Sequence, residues 1–205
     1  MSRKGKCEIW GTIATLKDPN GDGSTIQSSR TAGCYFISGS AISEIANYTP
    51  EMKVLLTDWL VEQRQLGVSC PKIITTTLKT ISNAKRPTVH QRMINLLEYL
   101  IVDNRQVGTV ILFHSNEHSD QYELLAWTSS QKFTELITLV EYCVESGYIE
   151  HKKLGFVEVI SKNSNEQTMK NIGDRHEIML KAKGHALLET LKSTNENSTN
   201  CFVAM

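Results

Sequence analysis

Cysteine and histidine are the residues of this chain with the most chemistry to offer, because both bind metals and take part in covalent or acid–base catalysis. The five cysteines are scattered and form no Cys-x-x-Cys pair; they are Cys7, Cys34, Cys70, Cys143 and Cys201. Their odd number and irregular spacing are typical of thiols in a reducing compartment and do not predict a disulfide framework. Cys143 lies within an amphipathic pattern, so we expect it in the core.

Three possible metal ligands share the polar stretch from His114 to Asp120. His114 and His118 are four residues apart, which suits two ligands on one helix face. The serine, asparagine and aspartate residues around them instead predict an exposed loop. We therefore interpret both histidines as solvated, and keep open the alternative of a self-contained enzyme in which they meet a carboxylate and a metal.

No motif for nucleophilic catalysis or phosphate binding occurs in the sequence. It contains neither Gly-x-Ser-x-Gly nor Gly-x-x-x-x-Gly-Lys-Ser/Thr. Gly21-Asp-Gly23 lacks the strand and helix of a phosphate loop and predicts a hairpin turn. The histidines at 151, 176 and 185 are isolated along the chain, and we interpret them as surface or hydrogen-bonded residues. The sequence thus predicts no catalytic residue, no metal site and no cofactor.

The length and composition fit one large globular domain or two small ones. The chain has 205 residues, of which 40% are hydrophobic and 21% charged. Lys+Arg and Asp+Glu both number 22, and this balance argues against a protein that coats nucleic acid, although a local basic face stays open. There is no run of about 20 apolar residues and no apolar signal region, so we expect a cytoplasmic protein without a membrane partner.

The first forty residues predict a small β-module, residues 1–40. Strand character occurs at Cys7–Ala14, Thr25–Gln27 and Cys34–Ile37, and a turn rich in Pro, Asn and Gly separates the first two. Hydroxyl groups at Ser38–Ser40 are then available to cap a helix.

A helical region is predicted for residues 41–105. Pro50 occupies a favoured first-turn position, and an apolar stripe follows at spacings of three and four residues until Gly67. Residues 73–81 stay ambiguous, because their threonines weigh against a helix. A second stripe predicts a helix from Val89 to Ile101.

In residues 106–192 the spacing of the hydrophobic residues is no longer only helical, and segments with strand character appear. Gly108–Phe113 and Tyr122–Trp127 are predicted strands, and Phe133–Val144 is a predicted helix that Ser129 or Ser130 caps.

The rest of that region predicts a β-ribbon and a closing helix. Tyr148–Ile160 is predicted to form a strand, a turn and a second strand, and the last helix carries Ala182 to Leu191. The order of this region is a helix, the residues Gly-Tyr-Ile, a β-ribbon and a closing helix. The same order is found in winged-helix units. We therefore predict an α+β fold in which a winged-helix-like unit occupies residues 106–192.

Two sets of residues are candidates for binding. The first set is basic and lies in or after the predicted ribbon, where a winged helix contacts phosphates: Lys152, Lys153, Lys181 and Lys183. The predicted recognition helix, Gln131 to Ser146, exposes mainly glutamates, which repel phosphate. Binding to protein is therefore favoured over binding to nucleic acid.

The second set lies on the helix after Pro50 and consists of Trp59, Gln63 and Arg64. These residues suit an assembly face for a protein partner or a second copy, and the alternative is that the aromatic and aliphatic stripe is ordinary core.

The last residues predict the beginning of another domain. A polar spacer, Lys192–Asn200, precedes the apolar run Cys201–Met205, which is short and prone to form a strand. The alternative is a frayed tail.

Three segments, together with the last four residues, resemble a family of bacterial proteins that carry a TIR-like, nucleoside-deoxyribosyltransferase-like domain. The first segment resembles a zinc ribbon in the residues around the metal ligands. Of the ligands themselves only Cys7 is present, and Trp10, Ser29 and Ala32 stand at the other ligand positions. The other matches are, in chain order, Leu56–Gly67 with Pro71, Glu141–Ile149 with Leu180–Leu188, and Phe202–Met205 at the start of the TIR-like domain.

The resemblance implies a metal-free, degenerate zinc-ribbon module and, at residues 193–205, a linker with the first strand of a truncated TIR-like domain. It also implies the regulatory and recognition region of an anti-phage defence effector. A trigger would change the packing or oligomeric state and bring together effector domains that cleave NAD or nucleotides. The alternative is a winged-helix DNA-binding transcriptional regulator.

Overall fold

The computed structural model describes residues 2–17, 22–102, 107–115, 122–163 and 166–200. Over these residues it contains both helices and strands in two sheets, which confirms the α+β class. The chain divides into two compact units, the first of residues 1–88 and 120–136 and the second of residues 89–119 and 137–205. The domain boundaries inferred from sequence stay predictions.

The elements are numbered along the chain. The strands are β1 Ser2–Lys6, β2 Ile13–Lys17, β3 Gly23–Ser28, β4 Gly33–Ser38, β5 Lys72–Ile73, β6 Val110–His114, β7 Ile149–Asn163 and β8 Glu166–Leu180. The α-helices are α1 Gly39–Ile45, α2 Pro50–Gln65, α3 Thr75–Ile81, α4 Val89–Ile101, α5 Glu123–Trp127, α6 Phe133–Glu145 and α7 Ala182–Asn200. A short 3₁₀ turn, Ser29–Thr31, joins β3 to β4.

The first unit is built on a five-stranded sheet of order β1-β2-β3-β4-β5, in which only the β4–β5 pair is parallel. Its buried core includes Ile26, Tyr35 and Ile37 from the strands and Leu56 and Leu60 from α2. The single strand predicted at Cys7–Ala14 is wrong. The N–H of Gly11 donates to the carbonyl of Cys7 at 2.7 Å, so the chain turns there before β2 begins.

The predicted helix starts of this unit are confirmed. The Ser38 hydroxyl accepts a hydrogen bond from the N–H of Ala41 and caps α1. Pro50 begins α2 behind the Thr49 hydroxyl, which accepts from the N–H of Met52. The ambiguous residues 73–81 divide between the end of β5 and α3.

A disulfide joins Cys34 in β4 to Cys70, just before β5. The prediction that no cysteines pair is therefore wrong for these two. They are 36 residues apart in sequence, and the parallel pairing of β4 with β5 brings their Cα atoms to 5.0 Å. Cys7 and Cys143 are buried free thiols, as expected for Cys143. Cys201 lies outside the described residues.

The segment Tyr122–Trp127, predicted as a strand, is instead mainly helical as α5. Leu124, Leu125 and Ala126 are all buried, and such a short apolar run does not distinguish a strand from a buried helix. The predicted cap of α6 by Ser129 or Ser130 stays a prediction. The Ser130 hydroxyl bonds that of Thr128, and the carboxylate of Glu135 accepts from the N–H of Gln131 at 2.8 Å.

The second unit contains a three-stranded antiparallel sheet of order β6-β8-β7. The predicted turn within Tyr148–Ile160 is wrong, because β7 continues through it as one strand. Gly155, which has a φ of +78°, lies at an irregularity of the β7–β8 pairing between Lys153 and Phe156. The ribbon is therefore β7 with β8.

Helix α7 continues through Lys192–Asn200, the segment predicted as a linker. Hydroxyl groups there bond carbonyls of their own helix; Thr194, for example, donates to Thr190 at 2.8 Å. At the start of α7, Gly184 lies so close to β7 that a Cβ would meet the Tyr148 carbonyl oxygen at 2.6 Å. The predicted strand at Cys201–Met205 lies outside the described residues. None of the described helices combines the length and apolar character needed to span a bilayer.

Candidate functional site

The proposed assembly residues on α2 face their own unit. Trp59 packs against the hydrophobic core, and Gln63 is half-buried. The Arg64 guanidinium donates to the carbonyls of Thr31, at 2.6 Å, and of Cys34. These contacts favour a structural role for Arg64, and the assembly face stays a prediction.

Arg64 is fitted closely against the backbone after the 3₁₀ turn. Gly33 has φ of +136°, and a Cβ there would lie 3.0 Å from the Arg64 Nε. Burial lowers the pKa of Arg64 to about 10, so the group stays charged at neutral pH. The planar guanidinium therefore holds the end of the 3₁₀ turn against α2 through its hydrogen bonds.

Replacing Arg64 by lysine should lower the free energy of unfolding by about 1–3 kcal/mol, because an ammonium group cannot reach both carbonyls with one planar fork. Urea unfolding followed by tryptophan fluorescence measures the loss. Arg3→Lys, on exposed β1, is the matched control and should have little effect. A stable Arg64→Lys variant with altered self-association would instead support the assembly role.

Arg30 forms a second buried cationic contact that the sequence analysis missed. Its side chain lies 3.9 Å over the Trp10 ring and donates to the carbonyls of Ser130 and Gln131 at 2.8 and 3.1 Å. Burial is the main cause that lowers its pKa to about 10, opposed by nearby ionisable groups. The residue is 2% exposed, so it holds the unit together and is not available to a ligand.

The four lysines proposed for phosphate contact lie in the second unit but have different surroundings. Lys153 is ion-paired with Asp174 at 2.6 Å, and the Lys183 ammonium donates to the Ser146 carbonyl at 2.8 Å. Lys152 is exposed on β7, and Lys181 is exposed between β8 and α7. Two of the four charges are thus engaged within the chain, which weakens the case for a phosphate site.

The part of α6 in the second unit presents an acidic and partly apolar face. Glu141 and Glu145 are exposed one turn apart, with Thr138 one turn earlier. Tyr142 and Val144 flank them and are 44% and 40% exposed. Carboxylates beside exposed aromatic and aliphatic side chains suit a basic protein surface better than a phosphate backbone.

A hydrogen-bonded histidine pair joins β7 to β8. His151 Nε2 and His176 Nδ1 are 2.9 Å apart, and the His176 ring stacks on Phe113 at a centroid distance of 4.8 Å. His176 is 2% exposed, and its Nε2 is buried without a hydrogen-bond partner among the residues that the structure describes. Sequence reasoning treated both residues as isolated, because they meet only through the β7–β8 register.

This pair favours neutral imidazole. One N–H lies between the two rings, so protonating both nitrogens would break the bond. Burial lowers the pKa of both histidines; Lys153 lowers them further, whereas Glu141 and Asp174 act in the opposite direction.

The alternative of a self-contained enzyme with a metal gains no support from the geometry. Within the described ranges, no three His, Cys, Asp or Glu side chains are grouped to hold a metal ion. Cys7 lies 3.3 Å from the Tyr35 hydroxyl, and Trp10 donates to Thr57. His114 is in β6, whereas His118 and Asp120 lie outside the described residues.

The chain has no match among models of known protein families, curated proteins or solved structures.

Proposed function

We propose that this chain is a recognition and regulatory region that binds a protein partner through the exposed face of α6. The observation that carries this proposal is the combination of Glu141 and Glu145 with Tyr142 and Val144 on that face. Aromatic and aliphatic side chains supply apolar area, and the carboxylates select a basic partner.

We further propose that the region controls an anti-phage effector. The support is the resemblance described above, in particular that of Phe202–Met205 to the start of a TIR-like domain. Partner binding would then bring together domains that cleave NAD or nucleotides.

The alternative function, a DNA-binding transcriptional regulator, is supported by the order of elements. The chain runs α4, β6, α5, α6, β7, β8, and its second sheet has the strand order β6-β8-β7. Both orders are those of winged-helix proteins, in which the helix before the ribbon enters the DNA groove. In this chain that helix is α6, whose exposed carboxylates oppose such binding.

A titration with short DNA duplexes at two salt concentrations tests the two functions. We expect weak or no binding, because α6 is acidic and two of the lysines are engaged. Affinity that falls steeply with salt, with a slope of several ions, would favour the regulator. The variant Lys152→Glu should then weaken binding, with Lys79→Glu on exposed surface of the first unit as a control of equal charge change.

The reading frame after the Met205 codon tests the effector part separately. A frame that continues with Pro-Phe or Trp-Phe would support the TIR-like domain, whereas a stop codon in the intact gene would contradict it.

A further inference from the structure

We propose that two copies of this chain join edge to edge through β7, antiparallel and centred on His151. The result is a continuous sheet in which each copy contributes three strands. This inference concerns a surface other than the α6 face, so it stands or falls independently of the proposed function.

The first argument is the direction of the backbone groups of β7. Within the described part of the chain, β7 is the last strand of its sheet. The N–H of Lys181 donates to the Tyr148 carbonyl at 2.9 Å, and Ile149 pairs with Leu180. Because inward and outward groups alternate in an antiparallel strand, His151 and Lys153 direct their N–H and C=O groups away from β8. A free edge of this kind is a template for another strand.

The second argument is charge complementarity. Glu150 and Lys152 have their side chains on the same face of the sheet, and both are exposed. In a pair centred on His151, Glu150 lies opposite Lys152 of the second copy, and the two-fold symmetry repeats this contact. These are pairs without direct backbone bonds between them, in which side chains approach most closely.

The same charges define the register. Sliding one copy by two residues places Glu150 opposite Glu150 of the second copy, or Lys152 opposite Lys152. Like charges directly opposite each other are destabilising. Only the register centred on His151 pairs opposite charges on both sides of the axis.

The flanking residues agree with this register. Ile149 lies opposite Lys153 of the second copy, and both direct their backbone groups away from β8, so a backbone-bonded pair flanks the axis on each side. The irregularity that begins after Lys153 ends the regular stretch, so the pairing covers residues 149–153.

Sedimentation velocity of the full chain with charge swaps tests the proposal. Wild type should show a concentration-dependent species of twice the 23.0 kDa chain mass. Glu150→Lys and Lys152→Glu should each raise the dissociation constant at least about tenfold, because each converts two attractive contacts into repulsive ones. The double swap should restore most of the association, because the reversed charges attract across the axis, although residue 152 then lies opposite Glu177 of its own chain. Glu189→Lys on α7 should leave the dissociation constant unchanged.

Two outcomes would overturn the proposal. One is a wild-type chain that stays monomeric up to about 1 mM, which is the weak limit of specific association. The other is a double swap that associates as weakly as the single swaps. Neither outcome bears on the proposed partner of α6, because β7 and the exposed face of α6 are different surfaces.

Amide hydrogen exchange gives a second test that needs no variant. The amides of Glu150 and Lys152 bond to β8 and should be protected at every protein concentration. The amides of His151 and Lys153 should gain protection only as concentration rises. Concentration-dependent protection confined to β6, the other end of the sheet, would show association through the wrong edge and contradict the proposal.

Discussion

Replacing Arg30 by methionine should lower the free energy of unfolding by about 2–4 kcal/mol. The change leaves the Ser130 and Gln131 carbonyls without their charged donor and removes the cation from the Trp10 ring. Unpaired buried acceptors carry most of this cost, because water cannot replace the guanidinium in a group that is 2% exposed. The loss should appear as a lower urea midpoint with an unchanged m value.

Arg86→Met is the matched control for this prediction. Arg86 also donates to a backbone carbonyl of the same segment, that of Ser129, and it pairs with Glu135 at 2.7 Å. Its side chain is 34% exposed, so water can take over part of its hydrogen bonding. We expect a loss of about 1 kcal/mol or less. Equal losses for the two variants would show that burial of Arg30 does not matter.

The second large effect is a fall in stability below about pH 6.5, caused by His151 and His176. Burial lowers the pKa of both histidines in the folded chain, so the unfolded chain binds more protons as the pH falls. Stability from this source is complete above the unfolded pKa and is lost as the pH falls toward the folded pKa. Each histidine contributes a slope of at most about 1.4 kcal/mol per pH unit, and we expect the free energy of unfolding to fall progressively between about pH 7 and pH 5.

Paired unfolding curves isolate this contribution from that of the carboxylates. His176→Phe should flatten the pH dependence, since phenylalanine can stack on Phe113 without a titrating nitrogen. His90→Gln, at an exposed position of α4, should leave the wild-type slope intact. The groups that face the pair are Glu141 on α6, His114 on β6, and Lys153 and Asp174 on the ribbon. A His176→Phe variant with the wild-type slope would assign the pH dependence to those groups instead.

Local signals in the sequence predicted the longer helices well. Pro50 and Ser38 mark helix starts, which can be predicted from the few residues of the first turn. Helix α6 can be predicted from the regular spacing of its own apolar residues. Tyr122–Trp127 could not be assigned in this way, because burial on all sides removes the periodicity that identifies a helix.

Contacts between distant residues could not be predicted in this way. The Arg30 bond to Ser130 spans 100 residues, and the Cys34–Cys70 disulfide depends on a parallel strand pair. His151 and His176 meet only because of the register of a long ribbon whose irregularity at Gly155 resembled a turn. Each of these contacts requires the tertiary fold before the residues can be recognised as partners.

The tight approach of α7 to β7 also has a consequence for evolution. At Gly184 any side chain would collide with the Tyr148 carbonyl, which cannot move without breaking its bond to Lys181. A homologue that keeps this packing of α7 must therefore keep glycine at that position, even if the rest of its sequence diverges. A glycine at the position of Gly184 is therefore a criterion for recognising homologues whose overall sequence identity to this chain is low.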